Sequence, residues 1–169
     1  MISLVFPGQG SQYIGMGKDF SNNFSIANDV YKEVDDVLGF SLSKLIFNGQ
    51  IEDLTLTRNA QPAIMATSIA ILKTLEKEGF NIKRSNFVAG HSLGEYTALC
   101  ASGAISLADT AYILKMRGIF MQEAVSVGVG SMAAILGLNL DKVESLVAET
   151  KGDEICEIAN DNEPNQVVL

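Results

Sequence analysis

One histidine, two cysteines, three prolines and no tryptophan occur in the 169 residues, and 12 Lys and Arg are outnumbered by 20 Asp and Glu. Each scarcity excludes something. Cys100 and Cys156 lie far apart, form no C-x-x-C pair and have no set of histidines to join them. That excludes a disulfide framework and a zinc site, and it points to a reduced, cytoplasmic setting. The net charge of −8 argues against nucleic acid or an anionic membrane surface as a partner, because phosphates are bound mainly through clustered Lys and Arg. Here the basic residues are scattered. Long apolar runs are also missing: Asn59 to Leu72 and Ala124 to Leu140 are uncharged stretches, the second broken by Gly128, Gly130 and Ser131. Neither makes a membrane span. Met1 to Phe6 is too short for a signal peptide and lacks its basic flank, so it reads as a mature start.

What the chain does contain is 47% hydrophobic and 19% charged residues, enough to bury the core of an ordinary domain. It shows no internal repeat and no low-complexity segment. Ile2 to Phe6 reads as a short strand running into the glycine-punctuated loop Pro7-Gly8-Gln9-Gly10-Ser11-Gln12. Helix-prone segments follow at Phe24 to Val37 and Leu42 to Phe47, with a weaker turn near Glu52. Pro62 suits an early helical position; Ile64, Ser68, Ile71 and Leu75 then share one face of a helix that Gly79 closes.

Phe87-Val88-Ala89 is compatible with a buried parallel strand, and Gly90-His91-Ser92-Leu93-Gly94 turns it into a helix ending near Gly103. Ser106-Leu107-Ala108-Asp109 has capping-box spacing and opens a helix to about Val125. Strand, loop, helix, strand, helix is an α/β beginning. Beyond Gly130 the rhythm becomes strand Met132 to Leu136, helix Leu140 to Glu149, strand Ile155 to Ala159, a turn, and a strand starting at Gln166. The expectation is a large α/β-hydrolase-like subdomain over 1–126, with a short parallel sheet, and a smaller, incomplete α+β subdomain over 127–169. Gln166 to Leu169 is strand-like and is expected to leave an unpaired edge, as in a truncated chain.

Gly90-His91-Ser92-Leu93-Gly94 fits G-x-S-x-G, the tight strand-to-helix turn that lifts a serine hydroxyl clear of its neighbours. A chance match in a chain of this composition is expected about one time in ten, so the motif alone decides little. Its place after an apolar strand and before a helix is what the chemistry demands. Ser92 is therefore the candidate nucleophile, the alternative being a plain helix N-cap serine. The backbone N–H of Leu93, at the helix start, is placed to stabilise an oxyanion. A serine needs a base, yet His91 directly precedes Ser92 and on an extended segment faces the other way. It reads as a packed structural residue, and the base must come from elsewhere.

Phe6-Pro7-Gly8-Gln9-Gly10-Ser11-Gln12, Asn59-Ala60-Gln61-Pro62, Gly90-His91-Ser92-Leu93-Gly94-Glu95 and Met116-Arg117-Gly118, in that order, resemble the malonyl-CoA:acyl carrier protein transacylase family. The resemblance implies a ferredoxin-like small subdomain and a ping-pong transfer in fatty acid biosynthesis. Ser92 would take malonyl from malonyl-CoA, and the phosphopantetheine thiol of acyl carrier protein would collect it. It implies an oxyanion hole from the backbone N–H groups of Gln9 and Leu93, Arg117 as partner of the malonyl carboxylate, and Gln61 as an orienting pocket residue. A guanidinium suits Arg117's part because it holds a carboxylate with two parallel hydrogen bonds. Met121, one turn further along the same face, would line the acyl pocket.

By residue type alone Arg117 reads equally as an exposed helix charge and Gln61 as a helix cap. The family's histidine base, with its orienting asparagine, lies beyond the position of Leu169. No metal or bound cofactor is implied, coenzyme A being substrate. Lys73, Lys77, Lys83, Arg84 and Lys115 are the candidates for meeting an acidic carrier protein. Alternatives are a polyketide-type acyltransferase domain, a serine hydrolase or thioesterase, and an inactive remnant.

Overall fold

A computed structural model describes residues 1–125 and 129–169. The chain divides into two compact units, Met1–Ala124 and Val125–Leu169. The subdomain boundary expected between residues 126 and 127 lies outside the described residues.

In the first unit β1 (Ser3–Phe6) is followed by α1 (Lys18–Asn23), α2 (Ser25–Leu38), α3 (Leu42–Asn48), α4 (Ile51–Thr55) and α5 (Thr57–Lys77). A 3-10 turn, Ile82–Arg84, leads to β2 (Phe87–Gly90), α6 (Leu93–Ser102) and α7 (Leu107–Ala124). β1 and β2 pair in parallel, Ser3 beside Phe87 and Phe6 beside Gly90. This is the short parallel sheet expected of the α/β class. Leu4, Phe6 and Val88 pack into the core, whereas Val5 and Phe87 are 76% and 63% exposed. The expectation of a fully buried β2 therefore fails on one face: alternation along each strand sends Val5 and Phe87 outward.

The core is organised around α5, which packs against α7, α2 and α6. Every residue from Asn59 to Thr67 is buried, as are Ile69, Ala70, Leu72 and Thr74. Ala60, Ala63, Ala66 and Ala70 are small enough to let neighbouring helices close on several sides. The single face expected from Ile64, Ser68, Ile71 and Leu75 is not the buried one: Leu75 is 45% exposed. A helix surrounded by others has no one apolar stripe to read. The helix also starts earlier than the proline suggests. The carbonyl of Leu56 accepts from Asn59 and Ala60 at 2.7 and 2.9 Å, so Pro62 lies inside α5, where it cannot donate to the Arg58 carbonyl. Tyr31 of α2 donates to Thr67 Oγ1 at 3.2 Å, and burial pushes its hydroxyl pKa up to about 12.

The serine half of the expected capping box forms. Ser106 Oγ accepts from the Asp109 N–H at 3.0 Å and donates to Asp109 Oδ2 at 2.6 Å, a cap worth about 1 kcal/mol to α7.

The second unit contains β3 (Ala134–Leu136), α8 (Leu140–Thr150), β4 (Asn160–Glu163) and β5 (Gln166–Val168). The strands form an antiparallel sheet in the order β3-β5-β4, with Val143 of α8 and Val167 of β5 buried. Two expectations are corrected. The strand placed at Ile155 to Ala159 is irregular, and Ile155 is 93% exposed. The strand lies instead in Asn160-Asp161-Asn162-Glu163, because pairing with β5 across the Pro164-Asn165 turn outweighs the weak strand propensity of those residues. Nor is β5 an unpaired edge: it is central, and Leu169 exchanges two 3.0 Å hydrogen bonds with Ala133.

Candidate active site

β2 ends at Gly90 and α6 begins at Leu93, so the chain reverses within His91 and Ser92. Ser92 has φ 56° and ψ −111°, and it is the only non-glycine residue with positive φ among the described residues. Such a conformation costs about 1–3 kcal/mol and persists only where its surroundings enforce it. Two glycines make room for it. A Cβ on Gly90 would strike the Gly94 carbonyl, and one on Gly94 would strike the Phe6 carbonyl at the end of β1. The turn is thus packed backbone to backbone, with the Gly94 N–H bonded to His91 O at 2.9 Å.

Ser92 occupies the N-cap position, yet among the described residues its hydroxyl makes no capping hydrogen bond. It accepts instead from Arg117 Nη2 at 3.0 Å. The plain N-cap alternative is thereby set aside. Leu93 is the first residue of α6, and its N–H is one of those a helix leaves without an intrahelical partner. The loop after β1 lies against this turn: a Cβ on Gly8 would come 2.8 Å from His91 Nδ1. Gln9 within that loop donates from Nε2 to Thr57 Oγ1 at 3.3 Å, which ties it to the start of α5. His91 is exposed overall, with its ring nitrogen against the loop.

Arg117 is the centre of the polar cluster. Its Nη1 donates to Gln61 Oε1 at 2.7 Å while Nη2 reaches Ser92. Gln61 is fully buried and uses its other end as well, Nε2 donating to Met121 Sδ at 3.2 Å. The structure thus brings Ser92, Arg117, Gln61 and Met121 together from α6, α7 and α5. Gln61 is the fifth residue of α5, so it is not a cap. Tyr96 was missed by sequence reasoning, although it stands one helical turn after Ser92; its ring centroid is 5.7 Å from Arg117 Cζ. Thr57 was missed too, and nothing in its local pattern marks it.

Gly118 explains how α7 comes close enough. A Cβ there would lie 2.5 Å from Arg58 Cα and 2.7 Å from the Thr57 carbonyl. Gly118→Ala must push α7 away from α5 backbone that cannot rotate aside. It is expected to cost about 1–3 kcal/mol, read as a fall in the midpoint of urea unfolding.

Lys115 donates to Asn59 Oδ1 at 3.3 Å and stacks 4.5 Å from the Phe40 ring centroid. Burial, helped by nearby Arg58, lowers its pKa from the ordinary lysine value. Lys73 pairs with Glu76 at 2.8 Å. Lys77, Lys83 and Arg84 are exposed. Burial raises the Cys100 thiol, which keeps it protonated and a poor rival nucleophile. Among the described residues no cluster of His, Cys, Asp or Glu could hold a metal, and no helix is long and apolar enough to cross a membrane.

Residues 3–169 match the family model described as acyl transferase domain. The chain is 46% identical over 169 residues to the malonyl CoA-acyl carrier protein transacylase of Bacillus subtilis (strain 168), covering 99% of this chain and 52% of that protein. It superposes with a TM-score of 0.92 on the acyl-carrier-protein-S-malonyltransferase of Bartonella henselae, at 52% identity, covering 99% of this chain and 54% of the other. A malonyl-transacylase solved in complex with a type II PKS acyl-carrier protein gives 0.89 at 38% identity, covering 98% of this chain and 53% of that one. The chain therefore spans about half the length of the relatives it matches. With a family model matched over almost its whole length, and a strained serine elbow facing a buried glutamine and an arginine, this chain belongs to the acyl transferase domain family.

Proposed function

We propose that this chain supplies the nucleophile and the acyl-recognition half of a malonyl-CoA:acyl carrier protein transacylase serving fatty acid biosynthesis. The observation that carries the reading is Arg117, held between Gln61 at 2.7 Å and the Ser92 hydroxyl at 3.0 Å. A malonyl group esterified to Oγ carries its free carboxylate toward that guanidinium, which can grip it through two N–H groups. A simple fatty acyl ester has no use for such a clamp.

In the first half-reaction Ser92 Oγ attacks the thioester carbonyl of malonyl-CoA. The new C–O bond forms first, giving a tetrahedral oxyanion; its collapse breaks the C–S bond, coenzyme A leaves as its thiol, and the serine proton passes through the base to the departing sulfur. The backbone N–H groups of Gln9 and Leu93 stabilise the oxyanion. The second half-reaction reverses these steps with the phosphopantetheine thiol of acyl carrier protein as attacker. His91 has its ring nitrogen against Gly8, so the base is assigned to the histidine that the resemblance places after residue 169. Coenzyme A enters as substrate, no resident cofactor is required, and the setting is cytoplasmic. Lys77, Lys83 and Arg84 are the exposed cations offered to an acidic carrier protein.

The test is the fate of the acyl group. Given malonyl-CoA and carrier protein bearing phosphopantetheine, the full-length protein, with the proposed histidine base present, is expected to form malonyl thioester much faster than free malonate. Release chiefly to water would favour the hydrolase alternative.

A further inference from the structure

We infer that Tyr96 is a positioning residue for Arg117, fixing the guanidinium that selects a carboxylate-bearing acyl group; this rests on the transacylase reading. Tyr96 is the fourth residue of α6, the helix that Ser92 precedes as N-cap. The Tyr96 ring centroid lies 5.7 Å from Arg117 Cζ, within the range at which a cation is attracted to an aromatic ring. Tyr96 is half-buried and packs against the hydrophobic core, so its ring is a fixed wall.

The other anchors act through single atoms. Gln61 Oε1 takes one N–H of Nη1 and Ser92 Oγ one N–H of Nη2. Each terminal nitrogen carries a second N–H for a carboxylate oxygen. Two such hydrogen bonds leave the long arginine stem free to swing and the guanidinium plane free to tilt. The ring removes that freedom. When Ser92 Oγ becomes an ester oxygen it is a poorer acceptor, and its hold on Nη2 weakens while Tyr96 still holds the group beside Gln61. Because Tyr96 acts through Arg117, its effect is confined to donors that use Arg117.

The experiment compares malonyl-CoA and acetyl-CoA as donors to the full-length protein, with the proposed histidine base present, following kcat/KM for each with Tyr96→Leu, Tyr96→Phe and wild type. Tyr96→Leu is expected to lower kcat/KM for malonyl-CoA about fivefold and leave acetyl-CoA unchanged, while Tyr96→Phe, which keeps the ring, restores the wild-type preference. In an Arg117→Ala background the Leu change is expected to add nothing. Equal losses for both donors would overturn the assignment, as they would mark a general packing defect. So would a malonyl preference that Tyr96→Leu leaves intact. A wild-type chain that accepts both donors equally would instead overturn the malonyl reading, and the Tyr96 assignment with it.

Discussion

Replacing Ser92 with alanine is expected to abolish covalent acyl capture and to lower the transfer rate of the full chain by three or more orders of magnitude, the scale seen when a serine nucleophile is removed. The fold should survive. The Ser92 hydroxyl caps no helix among the described residues and accepts only an exposed hydrogen bond from Arg117. Alanine at φ 56° is no less strained than serine, so the unfolding midpoint should move little. A variant that loses activity together with its cooperative unfolding transition would mean that the serine's role is structural. One that still captures an acyl group would show that another nucleophile exists, against the protonated, half-buried Cys100.

Arg117→Ala is the second large effect, and it differs in kind. It leaves the elbow intact and removes the proposed carboxylate clamp. The loss should therefore fall on malonyl-CoA alone, at about 100-fold in kcat/KM, the scale of a charged hydrogen-bonded pair at about 2–3 kcal/mol. Acetyl-CoA, lacking the carboxylate, should be unaffected or gain. Arg117→Lys keeps the charge but not the planar fork, so it should recover only part of the loss. The substitution also strands Gln61 Oε1, a fully buried acceptor that Arg117 now satisfies. Some loss of stability, about 1–3 kcal/mol, should accompany the change in selectivity. Parallel losses with both donors would show that Arg117 serves the fold and not the choice of acyl group.

The elbow was legible because its constraint is local. Gly90, Ser92 and Gly94 encode a turn whose sterics concern only its own backbone and the end of β1. The capping box at Ser106 was legible for the same reason. Where tertiary contacts decide, the pattern misleads. Pro62 suggested a helix start but lies inside α5, because Leu56 supplies the first carbonyl acceptor ahead of it. The apolar Ile155 suggested a strand that the polar Asn160 to Glu163 forms instead, since β5 is the partner that sets the register. No periodicity in either helix predicts that Gln61 and Arg117 touch. That contact depends on Gly118 letting α7 settle on the backbone of Thr57 and Arg58, and only the family resemblance brought the two residues forward together. Tyr96 meets Arg117 only through the packing of α6 beside α7, which no local pattern marks.

The most direct test of the central claim is to offer the protein malonyl-CoA and acetyl-CoA in equal amounts, quench early, and map the acyl adduct by intact mass and peptide fragmentation. Malonyl on Ser92 is expected well ahead of acetyl, with the excess vanishing in Arg117→Ala. An adduct on another residue, or acetyl and malonyl in equal yield on Ser92, would contradict it.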